Sequence, residues 1–113
     1  MDIETTVARI LKQQTHLQSF VEVPANRPNE FLSVEQTGGT HSFMDERDVL
    51  VACWAKTRKR AHEIAQSVIN CCECFKNNEA NIFKVEVDNY YRDDDPDSGQ
   101  PRYKVNFTFT ICE

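Results

Sequence analysis

A chain of 113 residues has room for one hydrophobic core, which at this size buries roughly 65% of the surface its unfolded form exposes. Its 13 Lys and Arg against 18 Asp and Glu leave a net charge of -5, which excludes a protein that grips nucleic acid over its whole surface but permits one local basic patch. No apolar run approaches the ~18 residues that span a bilayer, and Met1-Asp2-Ile3-Glu4 does not read as a signal peptide, so a protein made in a cytosol or released by lysis is expected.

Along the chain, Ile3, Val7, Ile10 and Leu11 share one face of a short amphipathic helix ending near Gln14, with Glu4, Arg9, Lys12 and Gln13 on the other side. Phe20, Val21 and Val23 suit a short strand that stops at Pro24, because proline lacks the donor a sheet ladder needs. Ala25 to Asn29 has the residues of a turn. Phe31 to Gln36 reads as a second strand, broken by Thr37-Gly38-Gly39-Thr40-His41-Ser42, and a loop is expected from there to Arg47. Val49 to Ala55 is apolar at odd and even positions alike, which predicts a central strand covered on both faces. Thr57 is placed to cap a helix whose buried stripe is Ala61, Ile64, Ala65, Val68, Ile69, Cys72 and Phe75.

Asn77 to Asn81 is a connector, and from Ile82 to Tyr91 the residues Phe83, Val85 and Val87 alternate with Lys84, Glu86 and Asp88, giving a strand with one wet face. Arg92 to Pro101 reads as a solvated loop unable to bury its charge. The last strand, Arg102 to Cys112, puts Tyr103, Val105, Phe107, Phe109 and Ile111 on one face. The order α-β-β-β-α-β-β therefore predicts a single α+β domain over 1–113. It is a mixed, mainly antiparallel sheet of about four to five strands with two helices packed on one face.

Few residues invite chemistry. The five cysteines are an odd number, three of them crowd one helix end, and reduced thiols are expected. Cys71 and Cys74 stand three apart like a metal pair, yet a closed zinc site needs two further ligands, and only Cys53, Cys112, His16, His41 and His62 remain, all isolated. Asp93, Asp95 and Asp97 alternate like the start of a calcium loop, but Ser98 and Lys104 stand where such a loop requires glycine and glutamate. Thr37 to His41 lacks the lysine of a phosphate-binding loop. No catalytic residue, cofactor or metal is expected, and the chain does not read as an enzyme. The sharpest oddity is Lys56, Arg58, Lys59 and Arg60 around a helix N-terminus, where the macrodipole favours anions. Beyond plain solvation, an outside partner is the expected counterweight: the Asp93 to Asp97 loop of a neighbouring subunit, or nucleic acid phosphate.

Several pieces in order resemble one family. Arg27-Pro28-Asn29-Glu30-Phe31 leads into Val34, then Thr37-Gly38-Gly39, then Asp45 to Arg47 before Val49 to Ala55, then Ala61-His62-Glu63-Ile64-Ala65. The later Asp95-Pro96-Asp97-Ser98-Gly99-Gln100-Pro101-Arg102-Tyr103 precedes an alternating final strand. Together these resemble the tail terminator (tail completion) proteins of long-tailed bacteriophages. The cysteines at 71–74 and the basic residues at 58–60 depart from what that family leads one to expect.

The resemblance implies a small α/β virion protein that sits as a ring, usually a hexamer of itself, on the last ring of the tail tube protein. It implies that the ring halts tube growth and offers a surface to the head-tail connector protein, with DNA only passing through the lumen and no membrane involved. The expected location is the head-joining end of the tail in the virion, and the host bacterial cytoplasm during assembly. Subunit or tube contacts are expected at Arg27, Glu30, Phe31, His41, Phe43, Arg47, Arg58, Lys59, Arg60, Asp93, Asp94, Asp95, Asp97 and Arg102. A head-tail connector or neck protein is the alternative of the same class. A small ligand-binding or regulatory α/β domain is the alternative of another.

Overall fold

A computed structural model describes residues 1–112. The elements are α1 (Ile3–Thr15), β1 (Ser19–Phe20), β2 (Phe31–His41), β3 (Asp45–Trp54), α2 (Arg58–Ile69), α3 (Cys72–Asn78), β4 (Ile82–Arg92) and β5 (Arg102–Ile111). The strands form one sheet in the order β1-β2-β3-β5-β4, antiparallel except for the β1–β2 pair. The expected single α+β domain is what the chain forms, with a third helix in place of two.

Local chemistry sets the helix ends. Asp2 accepts from the Thr5 amide at 3.2 Å and the Thr5 hydroxyl at 2.7 Å, closing the start of α1. His16 ends it in the left-handed region at φ 62°, its amide bonded to the Lys12 carbonyl. The Thr57 hydroxyl accepts from the Arg60 amide at 3.2 Å and starts α2. The helix predicted to run on to Phe75 stops instead at Ile69. Asn70 and Cys71 adopt turn-like ψ values of -6° and 0°, the Cys71 amide bonds back to the Val68 carbonyl, and α3 begins as a separate helix at Cys72. Asparagine is a weak helix former, and the break lets both Val68 and Phe75 reach the sheet.

The core lies between the helices and one face of the sheet. Ile3, Val7, Ile10 and Leu11 of α1, Ala61, Ile64, Ala65 and Val68 of α2 and Phe75 of α3 pack on Leu32, Val34, Val49, Val51, Cys53, Val105, Phe107 and Phe109. Phe75 meets Phe107 and Phe109 edge to face, with centroids 5.7 and 5.2 Å away, the arrangement ring quadrupoles favour. β3 is central, as its two-sided apolar run requires, but its second face is covered only near one end. There Phe31, Ala52 and Trp54 form a small cluster with Phe20, while Leu50 is half-buried and Asp48 is exposed.

Three strand expectations need correction. β2 does not end at Gln36: it runs through both glycines to His41 and turns over Ser42, Phe43 and Met44 into β3. The register slips between Gln36 and Gly38, and a Cβ on Gly39 would overlap the Glu46 carbonyl oxygen of the facing strand. Glycine is needed there for close backbone approach, not for a turn. β1 stops at Phe20, leaving Val21 and Val23 exposed rather than paired. In β4, a bulge between Ile82 and Lys84 turns Phe83 out of the apolar row, so it is 61% exposed. Phe75→Ala is therefore expected to cost about 3–5 kcal/mol in urea unfolding, whereas Phe83→Ala should stay within roughly 0.5 kcal/mol of the parent.

Candidate functional site

The residues singled out from the sequence separate into two groups at opposite ends of β3, about 30 Å apart at ~3.3 Å per residue. The molecule measures 41 × 25 × 24 Å, so these are close to the two ends of its long axis.

At the Trp54 end the indole stacks on Phe31, with centroids 5.1 Å apart and planes 13° from parallel, and its Nε1 donates to Ser33 Oγ at 3.1 Å. The guanidinium carbons of Arg27 and Arg102 lie 5.1 and 4.7 Å from the indole centroid. Both arginines then reach the loop after β4: Arg27 donates to Asp95 Oδ2 at 3.4 Å and Arg102 Nε donates to the Asp93 carbonyl at 2.7 Å. Asp95 also accepts from the Ser98 hydroxyl at 2.6 Å and the Ser98 amide at 3.3 Å. Gly99 closes this turn at φ 73°, a conformation other residues adopt at a cost.

These contacts overturn two expectations. The loop does bury charge, since Asp95 is only 8% exposed, and what makes this tolerable is its set of hydrogen bonds and its ion pair. Phe31 is fully buried under Trp54 and is no contact residue in the folded chain. The acidic loop is also largely taken up by its own chain. Asp93 pairs with Lys104 at 2.7 Å and Asp94 with Arg92 at 2.7 Å, while Asp97 lies exposed. Arg60 grips Glu30 through two bonds of 2.7 and 3.2 Å, so part of the basic helix start is offset internally. Lys56, Arg58 and Lys59 remain exposed, with Arg58 near enough to Asp94 to favour its ionised form.

At the other end, Arg47 is held rather than presented. Its guanidinium forks onto Asp45 with two bonds of 2.9 Å and donates to the Met1 carbonyl at 2.9 Å, tying the hairpin base to the start of the chain. His41 is exposed beside Asp45 at 3.9 Å. Phe43 is 97% exposed at the tip, and Met44, Phe83, Ile111 and Cys112 join it around a groove of about 440 Å³. Reading by alternation missed Phe83 because it assigned that ring to the buried row. Met44 falls in the stretch expected as a loop, where spacing carries no signal for an exposed apolar contact.

The cysteines lie elsewhere. Cys53 is buried in β3, where desolvation pushes its thiol up, and burial likewise raises Cys71 to about 11. Among the described residues, no three His, Cys, Asp or Glu side chains are grouped to hold a metal ion. No helix among them is long and apolar enough to cross a membrane. No family model matches the chain, and no curated protein matches it.

The latch at Asp95 has a pH signature. Hydrogen bonding by the Ser98 hydroxyl, then the neighbouring amides and Arg27, holds its carboxyl below the ordinary 3.8, and Lys104 and Arg92 do the same first for Asp93 and Asp94. A carboxyl lowered on folding contributes stability above its unfolded pKa and loses it as pH falls towards the folded value. Melting temperature should accordingly drop as pH falls through and below about 3.8. Asp95→Asn is expected to melt lower at pH 7 and to show a shallower acid limb in thermal scans from pH 7 to 3.

Proposed function

We propose that the chain is a virion structural protein of the tail-terminator kind. As a ring it caps the tail tube, stops its polymerisation and offers its outer surface to the head-tail connector. The observation that carries most weight alongside the sequence resemblance is Phe43. A phenyl ring that is 97% exposed, on a hairpin whose base is clamped by Asp45 and Arg47, contributes nothing to the chain's own core. Met44 and Phe83 extend it into an apolar patch of the kind that marks a protein contact. Burying one such ring on docking is worth about 1.5–3 kcal/mol, enough to change affinity by roughly ten- to a hundredfold.

On this reading the partners are further copies of the chain, the tube protein below and the connector above. DNA only passes through, and the working location is the head-joining end of the tail. The outer edge of β4 and the exposed Lys56, Arg58 and Lys59 before and within the first turn of α2 supply further contact surface.

The test is removal of the chain from an assembling particle, followed by electron microscopy of the tails. Tails that overrun their normal length, restored by the parent chain but not by Phe43→Ser at equal melting temperature, are the expected result. Tails of normal length that fail to join heads would assign the chain to the connector instead. Full assembly without the chain would end the virion reading.

A further inference from the structure

Three free cysteines crowd the joint between α2 and α3, and the assembly role uses none of them. Cys71 is the N-cap residue of α3, and Cys74 lies three residues further along. Three residues of helix separate two Cα atoms by roughly 5 Å, inside the span of about 4.4–6.8 Å that a disulfide bridges. Cys74 is also close enough to Cys71 to help hold its thiol protonated. Each has a protein acceptor as well: Cys71 Sγ donates to the Ser67 carbonyl at 3.3 Å, and Cys74 Sγ donates to Gln14 Oε1 of α1 at 3.5 Å. They differ in access. Cys71 is buried, whereas Cys74 is half-open to solvent.

We propose that Cys71 and Cys74 are a dithiol that low-molecular-weight disulfides, such as oxidised glutathione, close into an intrachain bond, with Cys74 as the entry sulfur and Cys71 as the resolving one. The Cys74 thiolate, its proton lost to solvent, attacks one sulfur of the small disulfide, breaking that S–S bond and releasing one thiolate. The Cys71 thiolate then attacks the Cys74 sulfur, forming the protein disulfide and expelling the second small thiolate. The chain gives up two electrons and two protons, and the small disulfide is reduced to two thiols. Burial keeps Cys71 protonated at neutral pH, so resolution is the slow step and accelerates as pH rises. Closure removes both S–H donors and with them the Cys74 link to Gln14 that joins α3 to α1. This inference does not depend on the virion reading.

The experiment treats the full chain carrying Cys112→Ser, which removes an exposed competing thiol, with oxidised glutathione, and follows intact mass and peptide maps. The expected product has a Cys71–Cys74 bond and no retained glutathione, and it forms roughly tenfold faster per pH unit between about pH 7 and 9. Adding Cys71→Ser should trap glutathione on Cys74 and lengthen that adduct's life at least about tenfold, while Cys72→Ser should leave closure unchanged. A lasting Cys74 adduct in the Cys112→Ser chain, closure that survives Cys71→Ser, or a Cys74 that does not react would each overturn the proposal. Because the bond is mapped first in a chain with both cysteines intact, misfolding of the Cys71→Ser variant would not rescue it.

Discussion

A five-stranded sheet backed by helices on one face must still do something with the other, and most of what is distinctive in this chain follows from that constraint. On the helix side Phe75, Phe107 and Phe109 hold the layers together through close ring contacts. On the far side the described residues form no second layer. At one end of β3 the indole of Trp54 substitutes for one, covered by Phe31 and two guanidinium groups. Those guanidiniums reach on to Asp95 and to the Asp93 carbonyl, so the same few residues that shield the apolar end also fasten the loop between β4 and β5. Towards the other end the far face is polar, carrying Asp48, Asn106 and Thr108, and needs no cover.

The consequence is a molecule with a closed end and an open one. The closed end is rich in charge, and much of it is paired within the chain: Glu30 with Arg60, Asp93 with Lys104, Asp94 with Arg92, Asp95 with Arg27. The open end presents the Phe43 ring on a hairpin braced by Arg47, with Phe83 of β4 also exposed there. Exposed ion pairs contribute little to association, whereas a solvent-facing phenyl ring gains from any partner that covers it. Within the assembly reading, therefore, weight moves from the acidic loop towards the hairpin tip and the edge strand beside it.

Periodicity made the main elements legible. The helical stripe of α1, the two-sided apolar run of β3 and the alternation of β5 each depend on local spacing, and each stands where that spacing put it. What stayed hidden depends on contacts between distant residues. Gly38 and Gly39 look like a strand breaker until the facing Glu46 carbonyl shows why no side chain fits. Phe83 looks buried until the bulge shifts it by one position, and Asp95 looks solvated until Arg27, far away in sequence, is seen to reach it. The kink at Asn70 and Cys71 is invisible to a pattern that counts only apolar residues, because the stripe continues in register across it. The candidate contact residues were legible as exposed charge and loop, but not as paired or unpaired. That difference decides which of them are free to bind.

The most direct test of the central claim is an electron cryomicroscopy reconstruction of tails purified from particles that encode this chain. The account predicts a closed ring of the chain at the single tail end that faces the head, with the Phe43 hairpin buried against a neighbouring copy or the tube. Density for the chain spread along the tube, or its absence from complete particles, would contradict it.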